Sequence, residues 1–164
     1  MTFGISTPTI GAQPIATTST TQSHPLGTII RAVDGTLGEG EFIYLKGVAS
    51  TVVGSIVNYD DNYQTALDTS AVAGPSRPLA VAMSANVASQ YGWYQISGLA
   101  VAAKANTVSF ADGAGLGAAS GLAVAVATGT VIQSAVVRTV ASAKSDVTTV
   151  AIAINRPHDP SDVS

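Results

Sequence analysis

Residues 90–103 read QYGWYQISGLAVAA, and this stretch decides the fold. Side chains on a strand alternate between two faces, so Tyr94 and Ile96 share one face while Tyr91, Trp93, Gln95 and Ser97 share the other. The first face is apolar and assigns Tyr94 and Ile96 to a core. Trp93, the only tryptophan of the chain, lies on the more polar face. There it is either a packing residue or an anchor against a neighbouring protein. Gly92 marks the start of the strand, and Gly98 marks a bulge or a close backbone approach. Only two of the three rings can serve one site, which argues against a small-molecule stacking platform.

Outward from this strand the same signals repeat. GTIIRAV (27–33) is β-branched and ends at the turn dipeptide Asp34-Gly35. EFIYLKGVA (41–49) alternates, and SIVNY (55–59) turns at Asp60-Asp61-Asn62 to return as YQTAL (63–67), a hairpin. PLAVAM (78–83), TVSF (107–110), GTVIQSAVV (129–137) and DVTTVAIAIN (146–155) complete a series of short strands at roughly ten-residue spacing. The fold class is all-β, a compact barrel or sandwich of short antiparallel strands. Alanine leaves two segments ambiguous: ANVASQ (85–90) suits a helical turn, and AASGLAVAVA (118–127) suits either helix or strand. Gly113, Gly115, Gly117, Gly121 and Gly129 argue against a long helix there.

Three regions follow. Residues 1–26 form an extended N-terminal arm, punctuated by Pro8, Pro14 and Pro25 and by the isolated apolar residues Phe3, Ile5, Ile10 and Ile15. Such an arm has no core of its own and becomes ordered only against something else, most naturally another subunit. Fully extended it spans about 85 Å. Residues 27–156 form the β-rich domain. Residues 157–164 form an extended tail, because Pro157 and Pro160 stop the last strand.

Composition narrows the function. Only 10% of the 164 residues are charged, against about 25% in an ordinary domain. A weakly charged, small-residue surface fits a protein covered by neighbours. The seven Lys and Arg are scattered, so the basic footprint of a nucleic-acid binder is missing. The absence of cysteine excludes disulfides and thiolate metal sites. The first residues lack the charged and apolar regions of a signal peptide, and the uncharged run 113–137 is too diluted by Gly, Ser, Thr and Gln for a membrane helix.

No reaction emerges from the residues. GAGLGA (113–118) lacks the Gly-Lys-Ser/Thr of a phosphate loop and reads as a turn between strands. Asp60, Asp61, Asn62 and Asp68 miss the calcium-loop pattern, with Thr65 at the sixth position and Ala71 at the twelfth, and read as a solvated hairpin tip. Glu39 and Glu41 share one face of a strand, but at a turn entering it, where exposed charge is expected. His24 and His158 are the only histidines, one per tail, and a metal site would need both with Asp159. No G-x-S-x-G elbow is present. The reading is of a protein that is not an enzyme and carries no cofactor or metal.

LKGVASTVVGSIVNYD (45–60), GPSRPLAVAMSAN (74–86), GWYQISGLAVAAKANTVSFADGAGL (92–116) and VTTVAIAINRP (147–157) follow one another in a recurring layout. Over about 40–157 the chain resembles the capsid decoration, or cement, proteins of tailed bacteriophages. The likeness is one of pattern, and the chain departs from it in a longer arm and an expanded 113–130. The resemblance implies a virion structural protein on the outer surface of an icosahedral capsid. Its partners would be the major capsid protein and further copies of itself, with a trimer favoured. It would bind neither nucleic acid nor membrane. Phe3, Ile5, Ile10, Ile15, Tyr91 and Trp93 are the expected interface residues. A receptor- or carbohydrate-binding β-domain of a fibre or other virion component is the alternative. Deleting residues 1–26 is expected to leave the domain folded and weaken shell binding.

Overall fold

The computed structural model describes residues 4–5, 11–69, 76–125, 131–138 and 148–159. Its strands are β1 (Gly4–Ile5), β2 (Ile29–Asp34), β3 (Gly38–Lys46), β4 (Ile56–Tyr59), β5 (Thr65–Leu67), β6 (Leu79–Ala82), β7 (Tyr91–Ala103), β8 (Gly117–Ala119), β9 (Leu122–Val124), β10 (Gln133–Val137) and β11 (Thr149–His158). All pairings between them are antiparallel, and no helix occurs among the described residues. The fold is an all-β sandwich without a closed barrel.

β7 organises it. One sheet runs in the order β1-β2-β3-β7-β6-β4-β5, and β11 also pairs with β7 and then with β10. The first half of β7 pairs with β3 from Lys46↔Tyr91 to Glu41↔Ser97, and the second half pairs with β11 from Asn155↔Ser97 to Thr149↔Ala103. The change of partners happens at a kink. Ile96 is an extra residue, because Glu41 faces Ser97 while Phe42 faces Gln95. Two residues on, Gly98 has φ +100°, and a Cβ there would lie 2.5 Å from the Glu39 carbonyl oxygen. Both the bulge and the close approach expected near Gly98 are therefore present.

The sheet is buried on both faces. Ile43, Leu45, Val57, Ala80, Ala82, Tyr94 and Ile96 pack together on the inner face. The sheet curls around them until Gln64, just before β5, meets Lys46 in a single parallel bridge, too little to close a barrel. On the outer face, the β4–β6 side carries Ile56, Leu79 and Val81. These pack with Ala100, Ala102, Ile152 and Ile154, and with Leu116, Ala118 and Ala123 of the β8–β9 region. The β2–β3 side carries Ile30, Ala32, Phe42, Tyr44 and Trp93, and is packed by Ile15 from the arm.

Several expectations are corrected. Residues 107–110 form no strand, and 85–90 form turns rather than helix. Within the ambiguous alanine run, residues up to Val124 belong to the β8–β9 hairpin, which turns at Ser120 and Gly121, both with positive φ, the geometry of a tight two-residue loop. The last strand does not stop before Pro157. β11 runs to His158, and residues 155–157 stand against the single Ser134 of β10, since Gln133 faces His158 and Ala135 faces Ile154. Proline has no N–H for a ladder and is tolerated in such a bulge. At the chain's two termini, residues 1–3, 6–10 and 160–164, to which part of the arm and tail expectations refer, lie outside the described residues.

Candidate functional site

The most elaborate constellation of side chains lies where the arm crosses the outer face. Aromatic residues at alternating strand positions create it: Tyr44 and Trp93 are directly opposed across β3 and β7, with ring centroids 5.0 Å apart and edge-to-face at 61°. Tyr91 stacks on Tyr44 at 6.4 Å. His24 adds an edge contact to Tyr44 at 5.1 Å and a tilted one to Trp93 at 5.3 Å.

The polar tips of Trp93 and Tyr44 find partners on the arm. Trp93 Nε1 donates to the Gln13 carbonyl at 2.8 Å, and Tyr44 Oη donates to Gln13 Oε1 at 3.0 Å. Gln13 Nε2 donates to the carbonyls of Thr17 (2.7 Å) and Tyr91 (3.3 Å), and its backbone N–H donates to His24 Nε2 (3.1 Å). The last bond requires that Nε2 be unprotonated, so the neutral ring carries its proton on Nδ1. Ser19 and Tyr91 exchange two backbone bonds, at 3.0 and 2.8 Å. Thr17 closes a turn onto the Pro14 carbonyl through both its N–H and its hydroxyl. The root of the arm is thus tied to β7 and β3 by backbone, side chain and packing at once.

This placement revises the interface expectation. Trp93 is 0% and Ile15 is 3% exposed, so neither leaves side-chain surface for a neighbour. Tyr91 is half-buried against the same cluster. Ile5 stands in β1, its backbone paired opposite Ala32. Phe3 and Ile10 lie outside the described residues. The arm between residues 11 and 26 finds its support on its own domain, where the composition had suggested another subunit. Gln13, the residue that joins the most groups, carried no sequence signal beyond its place between two glycine- and proline-marked turns.

The other chemistry-bearing residues are dispersed. Glu41 pairs with Arg31 at 3.3 Å and with Arg156 at 3.0 Å, and Glu39 reaches Arg31 at 3.8 Å. Ion pairs of this kind at the surface contribute less than about 1 kcal/mol each. Asp60, Asp61 and Asn62 are exposed at the hairpin tip, where Asp60 Oδ1 accepts from the N–H groups of Asn62 and Gln64. Asp68 departs from that tip and is buried. No group of three His, Asp or Glu side chains suited to a metal occurs among the described residues, and these residues form no helix long and apolar enough to cross a membrane. On β2, Ile29, Arg31 and Val33 form an exposed, mostly apolar stripe.

Burial shifts one aromatic group strongly. The Tyr94 phenol, inside the curl of the sheet, is pushed from 10.0 up to about 12 by desolvation, against the opposing effect of hydrogen bonds with Thr65 and Asn86. Burial also raises Tyr59.

No family model, curated protein or solved structure matches the chain.

Proposed function

We propose that the chain is a structural virion protein that binds the outer surface of an icosahedral bacteriophage capsid and cements neighbouring major capsid subunits. It acts without a cofactor and without a reaction, as a homo-oligomer, with a trimer favoured. The observation that carries the reading is the anchorage of the arm. Gln13, Ile15 and Ser19 fix its root to the centre of the sheet, so a load on residues ahead of position 11 passes directly into β3 and β7. A cement protein needs such a connection, because the shell it spans is pushed outward by packed DNA. The sparse charge and the exposed Ile29–Val33 stripe suit a surface that neighbours cover. Binding confined to the mature shell stabilises that shell by mass action, and several attachments per oligomer multiply modest affinities.

The glycan-binding alternative is weakened by the buried indole, since Trp93 offers no ring face for a sugar. Co-sedimentation with purified shells tests the proposal. Retention on expanded shells, absence from unexpanded ones and a higher shell melting temperature are expected. A chain that binds a glycan array and ignores both shell forms overturns it.

A further inference from the structure

Two carboxyl groups are buried against one another where the β4–β5 hairpin meets the end of β11. Asp68, just after β5, is 1% exposed, and Asp159, just after β11, is 9% exposed. Their backbones are fixed. The Asp68 N–H donates to the Ile56 carbonyl and its carbonyl accepts from the Gly121 N–H, while the Asp159 N–H donates to the Arg77 carbonyl at 3.0 Å. Ser76 Oγ donates to the Asp159 carbonyl, also at 3.0 Å. The Pro78↔His158 bridge and the Asn58↔Leu79 pairing bring the end of β11 beside β4, close enough for Asp68 to act on the Asp159 carboxyl by charge and by hydrogen bonding. Asn58 of β4 donates Nδ2 to Asp68 Oδ1 at 3.2 Å.

What remains is a set of orphaned oxygens. Asp68 Oδ2, Asp159 Oδ1 and Asn58 Oδ1 are all buried, and no N–H or O–H group donates to any of them. Buried polar atoms are nearly always paired, and buried like charges repel, so three unpaired acceptors on adjoining side chains need an explanation. No ion pair among the described residues reaches either carboxylate. Arg77 and His158 favour the charged Asp159 carboxylate from nearby, and the contact of His158 Nδ1 at 3.0 Å is with the Asp159 carbonyl oxygen. Carboxylate and amide oxygens, completed by water, are the ligands of a hard divalent cation.

We propose that Asp68, Asp159 and Asn58 form a binding site for one divalent cation of the calcium type. Bound there, the ion would clamp the β4–β5 hairpin to the end of β11. The site is independent of the capsid reading. A shared proton is the competing occupant: burial first, and the Asp68 carboxylate second, hold Asp159 up at about 7.

Protein stripped with EDTA and returned to metal-free buffer at pH 8 is titrated with CaCl2 by calorimetry, and its melting is followed in parallel. One calcium per chain is expected, with a Kd of about 0.1–1 mM for a two-carboxylate site finished by water. The melting temperature should rise, and NaCl of equal ionic strength should not reproduce the rise. D159N and D68N, each checked for native circular dichroism, should weaken binding about tenfold or more, while D61N at the hairpin tip keeps it. A wild-type chain that takes up no calcium overturns the site and leaves the shared proton as the occupant. Binding that survives in both D159N and D68N, or that D61N abolishes, overturns it equally.

Discussion

The indole Nε1 of Trp93 donates to the backbone carbonyl of Gln13 at 2.8 Å, across 80 positions of sequence. The bond joins the start of β7 to the root of the arm and turns an apparent appendage into one wall of the core.

Replacing Trp93 therefore tests the wall directly. W93A empties a fully buried site and should cost about 3–5 kcal/mol. W93F keeps most of the packing but strands the Gln13 carbonyl, at about 1–3 kcal/mol. Urea unfolding measures both, and a W93A cost below about 1 kcal/mol would contradict the burial.

Truncation separates the two parts of the arm. Removing residues 1–10 deletes β1 but spares Gln13, Ile15 and Ser19, so the domain should stay folded while shell binding falls. Removing residues 1–26 uncovers Trp93, Tyr44 and Phe42 and should lower the melting temperature sharply or abolish folding. That second outcome replaces the expectation, drawn from composition, that the whole arm is dispensable for folding. Equal melting temperatures for the two truncations would return the root to the status of a tail.

The kink at Gly98 makes a backbone prediction. G98A places a Cβ 2.5 Å from the Glu39 carbonyl, at a φ of +100° that alanine tolerates poorly. Neither atom belongs to a flexible side-chain end, so strand β3 must shift. A destabilisation of about 2–3 kcal/mol is expected in thermal or urea melts.

Tyr94 gives a pH dependence in the alkaline range. Unfolded, its phenol releases a proton near 10.0, whereas the folded chain holds it to about 12. Between these values the native state binds more protons, so stability is complete below the lower value and falls as pH rises towards the upper one. Y94F should flatten that fall, though not erase it, because Tyr59 is raised as well. Urea midpoints across this range, with tyrosinate absorbance to follow ionisation, supply the measurement. Identical slopes in wild type and Y94F would remove Tyr94 as the source.

Much of the fold was legible from residue order alone. Alternation placed Tyr94 and Ile96 in the core and Trp93 on the opposite face, and turn dipeptides located the β2–β3 connection and the β4–β5 hairpin. These are local facts, because strand pleating and turn geometry act over a few residues. The end of β11 was misread for a long-range reason: Pro157 stops an ideal ladder, and only the pairing with β10 reveals the bulge that accommodates it.

The sequence by itself determined the class of structure, the two faces of its central strand and the lack of any familiar catalytic motif. Only the tertiary structure decided what covers the polar face of that strand. A tryptophan beside Gln95 and Ser97 looks the same in sequence whether its cover is a neighbour or its own chain. Covering it brings together residues 13 and 93, and burial and hydrogen bonding depend on that approach in space. The same holds at the rim, where Asp68 and Asp159 are unremarkable surface residues until β5 and β11 bury them side by side.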